Sequence, residues 1–277
     1  MVTSSFAMDS MEEKHTQPPA AKTSAPIIGE HGMISYPPAT PHGKIQEVFS
    51  DIFVVMGTNR VQHEGVDTQF SRNMVIIRNQ DEIALINTVR LDEEGLLALN
   101  KLGNVKHVVR IGAFHGKDDA FYVDHYGAKL WSLKGAQNEH GKLADEVLTS
   151  NGPMFFPGIS LFLFETAVVP EAILYLEREG GIIITCDSIQ NWTEVDQYFD
   201  AETAKSFAAN GLIKTANISP IWGQATQVKV SDFERLMKHS FRHLLSAHGE
   251  PLLNDAYQKI EASLNDYRRL PVGSSSV

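Results

Sequence analysis

The sequence predicts an α+β fold built from one sizeable domain. Its apolar segments fall into blocks: strands, then one helix, then further strands, then helices. The 277 residues are 43% hydrophobic, which is enough to bury a large core without disulfides. Blocks in this order predict an α/β or an α+β fold, in which sheets and helices pack in layers around a common core.

The first block contains three strands, a helix and a fourth strand. Residues 52–56 and 73–78 are rich in β-branched residues, and a polar turn separates the second strand from residues 82–86. Residues 92–102 carry leucines at helical spacing and are followed by a glycine, so we expect a helix that ends there. Residues 105–111 then predict the fourth strand.

The second block contains strands and then helices. A fully apolar run at residues 182–185 predicts a buried central strand, which can deliver the next carboxylate, Asp187, to a site. Gly180 and Gly181 predict the turn that precedes this strand. The remaining predicted elements are strands at residues 159–164 and 172–176 and helices at residues 201–210, 232–245 and 253–267.

The two ends of the chain differ in composition from this domain. Residues 1–42 contain several prolines among Ser, Thr and Lys, without apolar periodicity, which predicts a flexible Pro-rich N-terminal arm. We expect the folded domain to span residues 43–270 and a disordered tail to span residues 271–277. Because an arm of this kind can reach a second copy of the chain, the sequence is compatible with a homo-oligomer.

Composition also restricts the partners and the compartment. The formal net charge of −10, from 34 acidic and 24 basic residues, disfavours binding to nucleic acid, which needs clustered cations. No apolar run approaches the length of a membrane span, and the first residues lack the apolar region of a signal peptide. The single cysteine excludes an internal disulfide and favours a reducing compartment, so we expect a cytoplasmic protein.

Candidate metal ligands lie at the ends of predicted strands and in turns. The segment Phe114-His115-Gly116-Lys117-Asp118-Asp119-Ala120 follows the strand at residues 105–111. Asp187 follows the apolar strand of the second block, and His248 lies in a turn that contains glycine and proline. Histidine nitrogens and carboxylate oxygens are common ligands of zinc and related ions. The pattern therefore indicates one His and two acids at strand or loop ends, with a second His near the C-terminus.

The order and spacing of these segments resemble the metallo-β-lactamase superfamily, whose metal loop reads H-x-H-x-D-H. On that motif, His115 matches the first histidine and Asp119 matches the aspartate, whereas Lys117 and Ala120 replace the second and third histidines. In the middle motif, H-T-P-G-S, Val168 takes the place of the ligand histidine. The sequence thus resembles a divergent member of the superfamily with a degenerate ligand set.

Three further segments extend the resemblance over residues 45–265. Cys186-Asp187 matches the end of the xGD motif, and Ala247-His248-Gly249-Glu250-Pro251 matches the final G-H-G-x-P motif. Ala84-Leu85-Ile86-Asn87-Thr88 takes the place of a strand that usually ends in Asp-Thr-Gly. The resemblance implies the four-layer αββα metallo-β-lactamase-like sandwich.

The resemblance also implies a metal-dependent hydrolase. The implied metal ligands are His115, Asp119, Asp187 and His248, and the implied catalytic residues are Asp119 and His115. Asp119, Asp187 and His248 could hold one Zn, Fe or Mn ion, with His115 as a base or fourth ligand. Because no basic face is indicated, the expected substrate is a small ester-like or thioester-like molecule.

A metal-free protein is the alternative interpretation. A protonated lysine at a ligand position repels a divalent ion and has no lone pair to donate. Lys117 could instead lie between Asp119 and Asp187 and supply the positive charge that two buried carboxylates need. The chain would then hold no metal and would bind a small ligand or serve a structural role.

Several of these residues also have a plain structural interpretation. His115 could be a buried histidine bonded to backbone groups, and Asp119 could cap the helix that follows the loop. Asp118 is expected to be a surface acid in a turn. Cys186 is expected to point to the opposite face of its strand from Asp187, because neighbouring strand residues alternate.

Overall fold

The structure, a computed structural model, describes residues 27–28, 34–63, 65–136 and 141–269. The predicted tail at residues 271–277 and most of the predicted N-terminal arm lie outside these ranges. None of the helices described is long and apolar enough to cross a membrane.

The larger sheet has seven strands, which are neighbours in the order of the sequence. The strands are β3 (Gln46–Phe49), β4 (Ile52–His63), β5 (Val66–Asn79), β6 (Glu82–Ile86), β7 (Asn104–Arg110), β8 (Lys129–Leu133) and β9 (Glu146–Leu148). The pairs from β3 to β6 are antiparallel, and those from β6 to β9 are parallel.

The smaller sheet has four strands in the order β10-β11-β12-β15, of which only the β12–β15 pair is parallel. These strands are β10 (Ile159–Leu163), β11 (Ala172–Leu176), β12 (Ile182–Thr185) and β15 (His243–Ser246). Two antiparallel pairs complete the strands: β1 (Ile27–Ile28) with β2 (Ile34–Ser35), and β13 (Ile189–Trp192) with β14 (Lys214–Ile218).

Six helices accompany these strands in the part of the chain that the structure describes. They are α1 (Glu93–Leu102), α2 (Asp119–Tyr126), α3 (Ala201–Ala209), α4 (Pro220–Thr226), α5 (Val230–Leu236) and α6 (Ala256–Tyr267). The side chain of Asp92 caps α1 by accepting a hydrogen bond from Gly95 N. Asp200 caps α3 in the same way, at Thr203 N.

Three hydrophobic clusters separate the layers and confirm the predicted αββα sandwich. The central cluster joins facing residues of the two sheets, among them Ile86 of β6 and Ile184 of β12. A second cluster packs the outer face of the smaller sheet, including Ile183, against α4, α5 and α6. A third packs the outer face of the larger sheet against α1 and α2. The first three residues of β12 are all isoleucine, as expected for a strand with both faces covered.

The helix predicted at residues 232–245 is wrong in its second half. Helix α5 ends at Leu236, and the chain then re-enters the smaller sheet as β15. Leu244 and Leu245 lie in the clusters on opposite faces of that sheet. A short apolar run fits a buried strand and a buried helix equally well, so its pairing with β12 decides between them.

The described end of the predicted arm contacts the larger sheet. Thr58 donates hydrogen bonds from its backbone N and its hydroxyl to Pro41 O, and Gly43 N donates to Met56 O. His42 Nε2 accepts from Asp92 N at 2.9 Å, next to the start of α1. The flexibility of residues 1–42 stays a prediction for the part outside the described ranges.

Candidate metal centre

Three side chains meet beyond the ends of strands from both sheets. Thr185 of β12 lies opposite Ser246 of β15, and these two strands run parallel. Asp187 and His248 each follow two residues later, so they leave the smaller sheet side by side. His115 approaches from the loop between β7 and α2 of the larger sheet. The carboxyl ends of parallel strands therefore assemble the site, as in other α/β arrangements.

The three donor atoms form a compact triangle. His248 Nε2 lies 3.0 Å from Asp187 Oδ1 and 3.1 Å from His115 Nε2, and His115 Nε2 lies 3.5 Å from Asp187 Oδ1. The side chains of both histidines are nearly buried, whereas that of Asp187 is 16% exposed. The structure thus brings together three of the four predicted ligands.

The ring of His248 has a fixed orientation. Its Nδ1 lies 3.1 Å from Ser71 O of β5, which can only accept, so we assign the proton to Nδ1. Its Nε2 is then the nitrogen that faces Asp187 and His115. Asn73, also on β5, donates from Nδ2 to Ser246 O at 2.9 Å and to Gly249 O at 2.5 Å. The larger sheet thereby holds the turn that carries the histidine.

Gly249 allows the His248 turn to pass close to β13. Its φ is +79°, and a Cβ at this position would collide with the backbone carbonyl of Asn191. We expect Gly249→Ala to lower the free energy of unfolding by about 2–6 kcal/mol, from backbone strain and overpacking together. Urea unfolding would measure this cost.

Gly127 provides the matched control for that substitution. It also has positive φ, +61°, but has no atom within 4 Å of a notional Cβ. Gly127→Ala should therefore lower the free energy of unfolding through backbone strain alone, by about 1–3 kcal/mol. Equal losses in the two variants would contradict the close approach at Gly249.

The electrostatics of the triangle keep Asp187 ionised. Burial by itself raises the pKa of Asp187, but His115 and His248 outweigh burial and hold this pKa well below its usual range. Burial lowers the pKa of His115, and the neighbouring Asp187 opposes this shift. At neutral pH the site therefore contains one carboxylate and at least one neutral imidazole, which are metal-binding forms.

A second group of potential ligands adjoins the first and shares Asp187. One donor atom from each of Glu171, Cys186 and Asp187 lies within 4.8 Å of the others. Glu171 Oε1 accepts a hydrogen bond from Ser188 N at 2.7 Å, whereas Oε2 is buried and has no hydrogen-bond partner in the described structure. Burial, and then the charge of Asp187, raise the pKa of Glu171 well above its usual value.

Cys186 does not point away from Asp187, so that expectation is wrong. Its Sγ lies 3.5 Å from Asp187 Oδ2 and 3.8 Å from Asn87 Oδ1. Strand β12 ends at Thr185, and residues beyond a strand end no longer alternate between faces. Burial, together with Asp187 and Glu171, raises the pKa of the Cys186 thiol well above its usual value.

Asp119 lies outside both ligand groups. Its Oδ1 accepts a hydrogen bond from Thr88 Oγ1 at 2.6 Å, and the residue is buried in the first turn of α2. Burial raises its pKa to about 6, although the nearby Arg110 favours the charged form. The assignment of Asp119 as a metal ligand and catalytic residue stays a prediction.

The raised pKa of Asp119 makes stability depend on pH. Its pKa is about 6 in the folded protein against an ordinary value of 3.8, so folding favours the protonated form. The stabilisation that protonated Asp119 gives to the folded protein is fully present below about pH 4 and is lost as the pH rises through about 6. The free energy of unfolding should fall by about 3 kcal/mol over this range. Unfolding curves from pH 4 to pH 8 should show this fall, and Asp119→Asn should remove it. An unchanged pH profile in the variant would contradict the shift.

Asp118 is not a surface acid, which corrects that expectation. It forms an ion pair with Arg72 of β5 and accepts a hydrogen bond from Arg90 N at 2.8 Å. Both charged side chains are buried. Arg72 also donates from Nη1 to Thr88 O at 3.2 Å, so this ion pair joins β5 to the loop that carries His115.

Lys117 contacts the larger sheet. Its Nζ donates to Asn59 Oδ1 of β4 at 2.9 Å. The positive charges that favour ionised Asp119 belong to Arg110 and Arg72. The role of Lys117 as a substitute for metal stays a hypothesis.

Glu171 is the residue of this region that sequence reasoning did not select. It lies directly before β11, and Val168, which takes the place of the family's ligand histidine, is 64% exposed. The sequence feature that could have identified it is an acid directly before the hydrophobic strand β11. A carboxylate in that position is either buried or directed at a site.

Comparisons with known proteins identify the fold. No protein-family model matches the sequence, and no curated protein matches it. The chain is similar to the solved structure of DIM-1 metallo-beta-lactamase exposed to ceftazidime, with a TM-score of 0.55 and 13% identity over 82% of this chain and 99% of that one. It is also similar to VMB-1, with a TM-score of 0.56 and 14% identity over 81% and 97%.

A third similar structure is the metallo-beta-lactamase FIM-1 from Pseudomonas aeruginosa in its mono-zinc form. Its TM-score is 0.54, with 11% identity over 84% of this chain and 99% of that chain. Together with the layers described above, these likenesses establish that the chain has the metallo-β-lactamase fold. At these identities, the sequence is a divergent example of that fold.

Proposed function

We propose that this chain binds one divalent metal ion through His115, Asp187 and His248 and uses it to hydrolyse a small ester-like or thioester-like substrate. The observation that carries the proposal is the spacing of the donors, which is 3.0–3.5 Å. Ligands placed about 2.0–2.1 Å from a tetrahedral zinc lie about 3.3 Å from one another. The triangle therefore has the dimensions of one face of such a site.

The orientation of His248 also suits a bound ion. Its Nδ1 donates to Ser71 O, so Nε2 is the nitrogen that faces Asp187 Oδ1, 3.0 Å away. Metal-binding histidines commonly donate from the other ring nitrogen to a backbone carbonyl in this way, which fixes the orientation of the ring. A divalent cation in the triangle would accept lone pairs from Nε2 and from the carboxylate.

The donor set restricts the identity of the ion. Two imidazoles and one carboxylate suit zinc in hydrolases and Fe(II) in facial-triad sites, and Mn(II) is a harder alternative. When bound, such an ion supplies Lewis acidity that polarises a carbonyl oxygen and acidifies water. The likeness to FIM-1, solved in a mono-zinc form, is consistent with a single ion in this fold.

The protein side chains around the triangle would orient the substrate. Trp192 and Phe70 pack against the His248 ring, at centroid distances of 4.8 and 5.8 Å. Phe199 and Phe207 extend this aromatic wall. The wall favours a substrate with an apolar part next to its ester or thioester, and the net charge of −10 disfavours a polyanion.

The test begins with the metal content of untagged full-length protein, measured by mass spectrometry after dialysis. We expect a bound divalent ion in the wild type and a loss of affinity of at least about 100-fold in His115→Ala and His248→Ala. His243→Ala is the matched control, since this buried histidine of β15 bonds to Glu179 O and Asn254 N and lies outside the ligand groups.

Hydrolysis of a panel of esters and thioesters should follow metal content. Activity that is lost with a chelator and restored by zinc, iron or manganese supports the proposal. Protein that stays metal-free after addition of each of these ions refutes it and favours the metal-free alternative. In that case Lys117→Ala should lower the melting temperature, as expected if the lysine replaces the charge of the metal.

A further inference from the structure

We propose that Glu171, Cys186 and Asp187 form a second, buried position for a thiophilic divalent cation such as zinc or cadmium. This proposal rests on the proposed function in one respect, because Asp187 is a ligand in both sites. The ligand set differs in kind from the first site: one sulfur and two carboxylates replace two imidazoles and one carboxylate.

The first observation is that the two carboxylate oxygens of Asp187 face different partners. Oδ1 lies 3.0 Å from His248 Nε2 and 3.5 Å from His115 Nε2. Oδ2 lies 3.5 Å from Cys186 Sγ. A carboxylate divided in this way can bridge two cations, with one oxygen bound to each.

The second observation is the unsatisfied oxygen of Glu171. This residue is 1% exposed, and Oε2 has no hydrogen-bond partner in the structure as described. Glu171 also forms no ion pair with any residue of the described ranges. Without a cation, burial favours the protonated form of this carboxyl group, and a bound ion would replace that proton and satisfy Oε2.

The third observation is that Gly112 leaves room for these donors. A Cβ at Gly112 would collide with Cys186 Sγ and would lie 3.5 Å from Glu171 Oε2. Sulfur and oxygen therefore border the same small space next to this glycine. Gly112 also pairs with Glu171 in an isolated bridge between the loop after β7 and the start of β11, which fixes the backbone there.

The chemistry of the donors selects the kind of ion. Cysteine sulfur binds zinc at about 2.3 Å and prefers soft or borderline cations, whereas Mg²⁺ and Ca²⁺ prefer oxygen alone. On binding, the metal–sulfur bond replaces the S–H bond of Cys186, a metal–oxygen bond replaces the O–H bond of Glu171, and both protons pass to solvent. No change of oxidation state is involved.

Cobalt(II) substitution of the full-length protein tests the proposal, because Cys186 is the only cysteine in the sequence. A sulfur-to-cobalt charge-transfer band in the near ultraviolet can therefore arise only from this residue. We expect two equivalents of cobalt with this band in the wild type. Cys186→Ser should lose the band and one equivalent, and Glu171→Gln should lose one equivalent.

A matched variant and a measurement on the wild type distinguish the loss of a metal ligand from misfolding of a variant. Asp232→Asn changes another buried carboxylate, which bonds to Thr166 and Arg235 and belongs to neither ligand group, and should keep both cobalt ions. Zinc X-ray absorption of the wild type needs no variant and should contain a sulfur neighbour at about 2.3 Å.

The outcomes separate this inference from the proposed function. One cobalt without the band and no zinc–sulfur contact would overturn the second position and leave the histidine site intact. A single cobalt with the band in the wild type, unchanged in His248→Ala, would support the second position and refute the first. No cobalt at all would refute both.

Discussion

Asp187→Asn is expected to remove metal binding and hydrolysis more completely than any other single substitution in this chain. Asp187 belongs to both ligand groups, and its charge is the partner of two imidazoles. An amide keeps the size of the side chain but supplies a neutral and weaker ligand. Because changes in the partners of metal ligands already cost about 10–100-fold, we expect an affinity loss of at least about 100-fold.

Thermal unfolding with and without a chelator measures this effect independently of activity. A ligand that binds only the folded state raises its melting temperature, so a chelator should lower that of the wild type. The chelator should leave Asp187→Asn unchanged. Asp119→Asn is the informative comparison: a matching loss of metal would make Asp119 a ligand, as the sequence predicts. Full metal binding by Asp187→Asn would refute both metal proposals.

Arg72→Ala is expected to lower the free energy of unfolding by about 3–5 kcal/mol. The substitution leaves Asp118 as a buried charge without its ion-pair partner, which is the costly way to break a buried pair. Because Asp118 precedes α2 and follows the His115 loop, metal affinity should fall as well. Chemical denaturation would measure the free energy of unfolding, and metal titration would measure the affinity.

Arg78→Ala is the matched control on the same strand. Arg78 Nε lies 2.7 Å from Asp51 Oδ1, but the two side chains are 32% and 39% exposed. Exposed pairs contribute about 0–1 kcal/mol, so this variant should stay close to the wild type. If Arg72→Ala lost as little unfolding free energy as Arg78→Ala, the buried ion pair between Arg72 and Asp118 would be contradicted.

The fold could be predicted well because local pattern and burial agree along most of the chain. The consecutive β-branched isoleucines of β12 favour a strand, and the leucines of α1 have helical spacing; the structure confirms both predictions. Residues 237–245 were mispredicted because a short apolar run does not encode which neighbour it pairs with. That information lies in β12, about sixty residues earlier in the sequence.

The candidate site was predictable where its residues end strands. His115, Asp187 and His248 converge because the parallel order of the strands brings those ends together. The orientation of Cys186 and the burial of Asp118 were not predictable, since both depend on loop geometry. The partner of Asp118, for instance, is 46 positions away in the sequence and on a different element.

The position of β15 has a consequence for the order in which the protein matures. His248 lies 133 residues after His115, and its strand is the last to join the smaller sheet in chain order. During synthesis, the whole larger sheet leaves the ribosome before this histidine is made. The cation binding proposed for the triangle would therefore follow docking of β15, so a molecule that holds the ion would be one whose smaller sheet is complete.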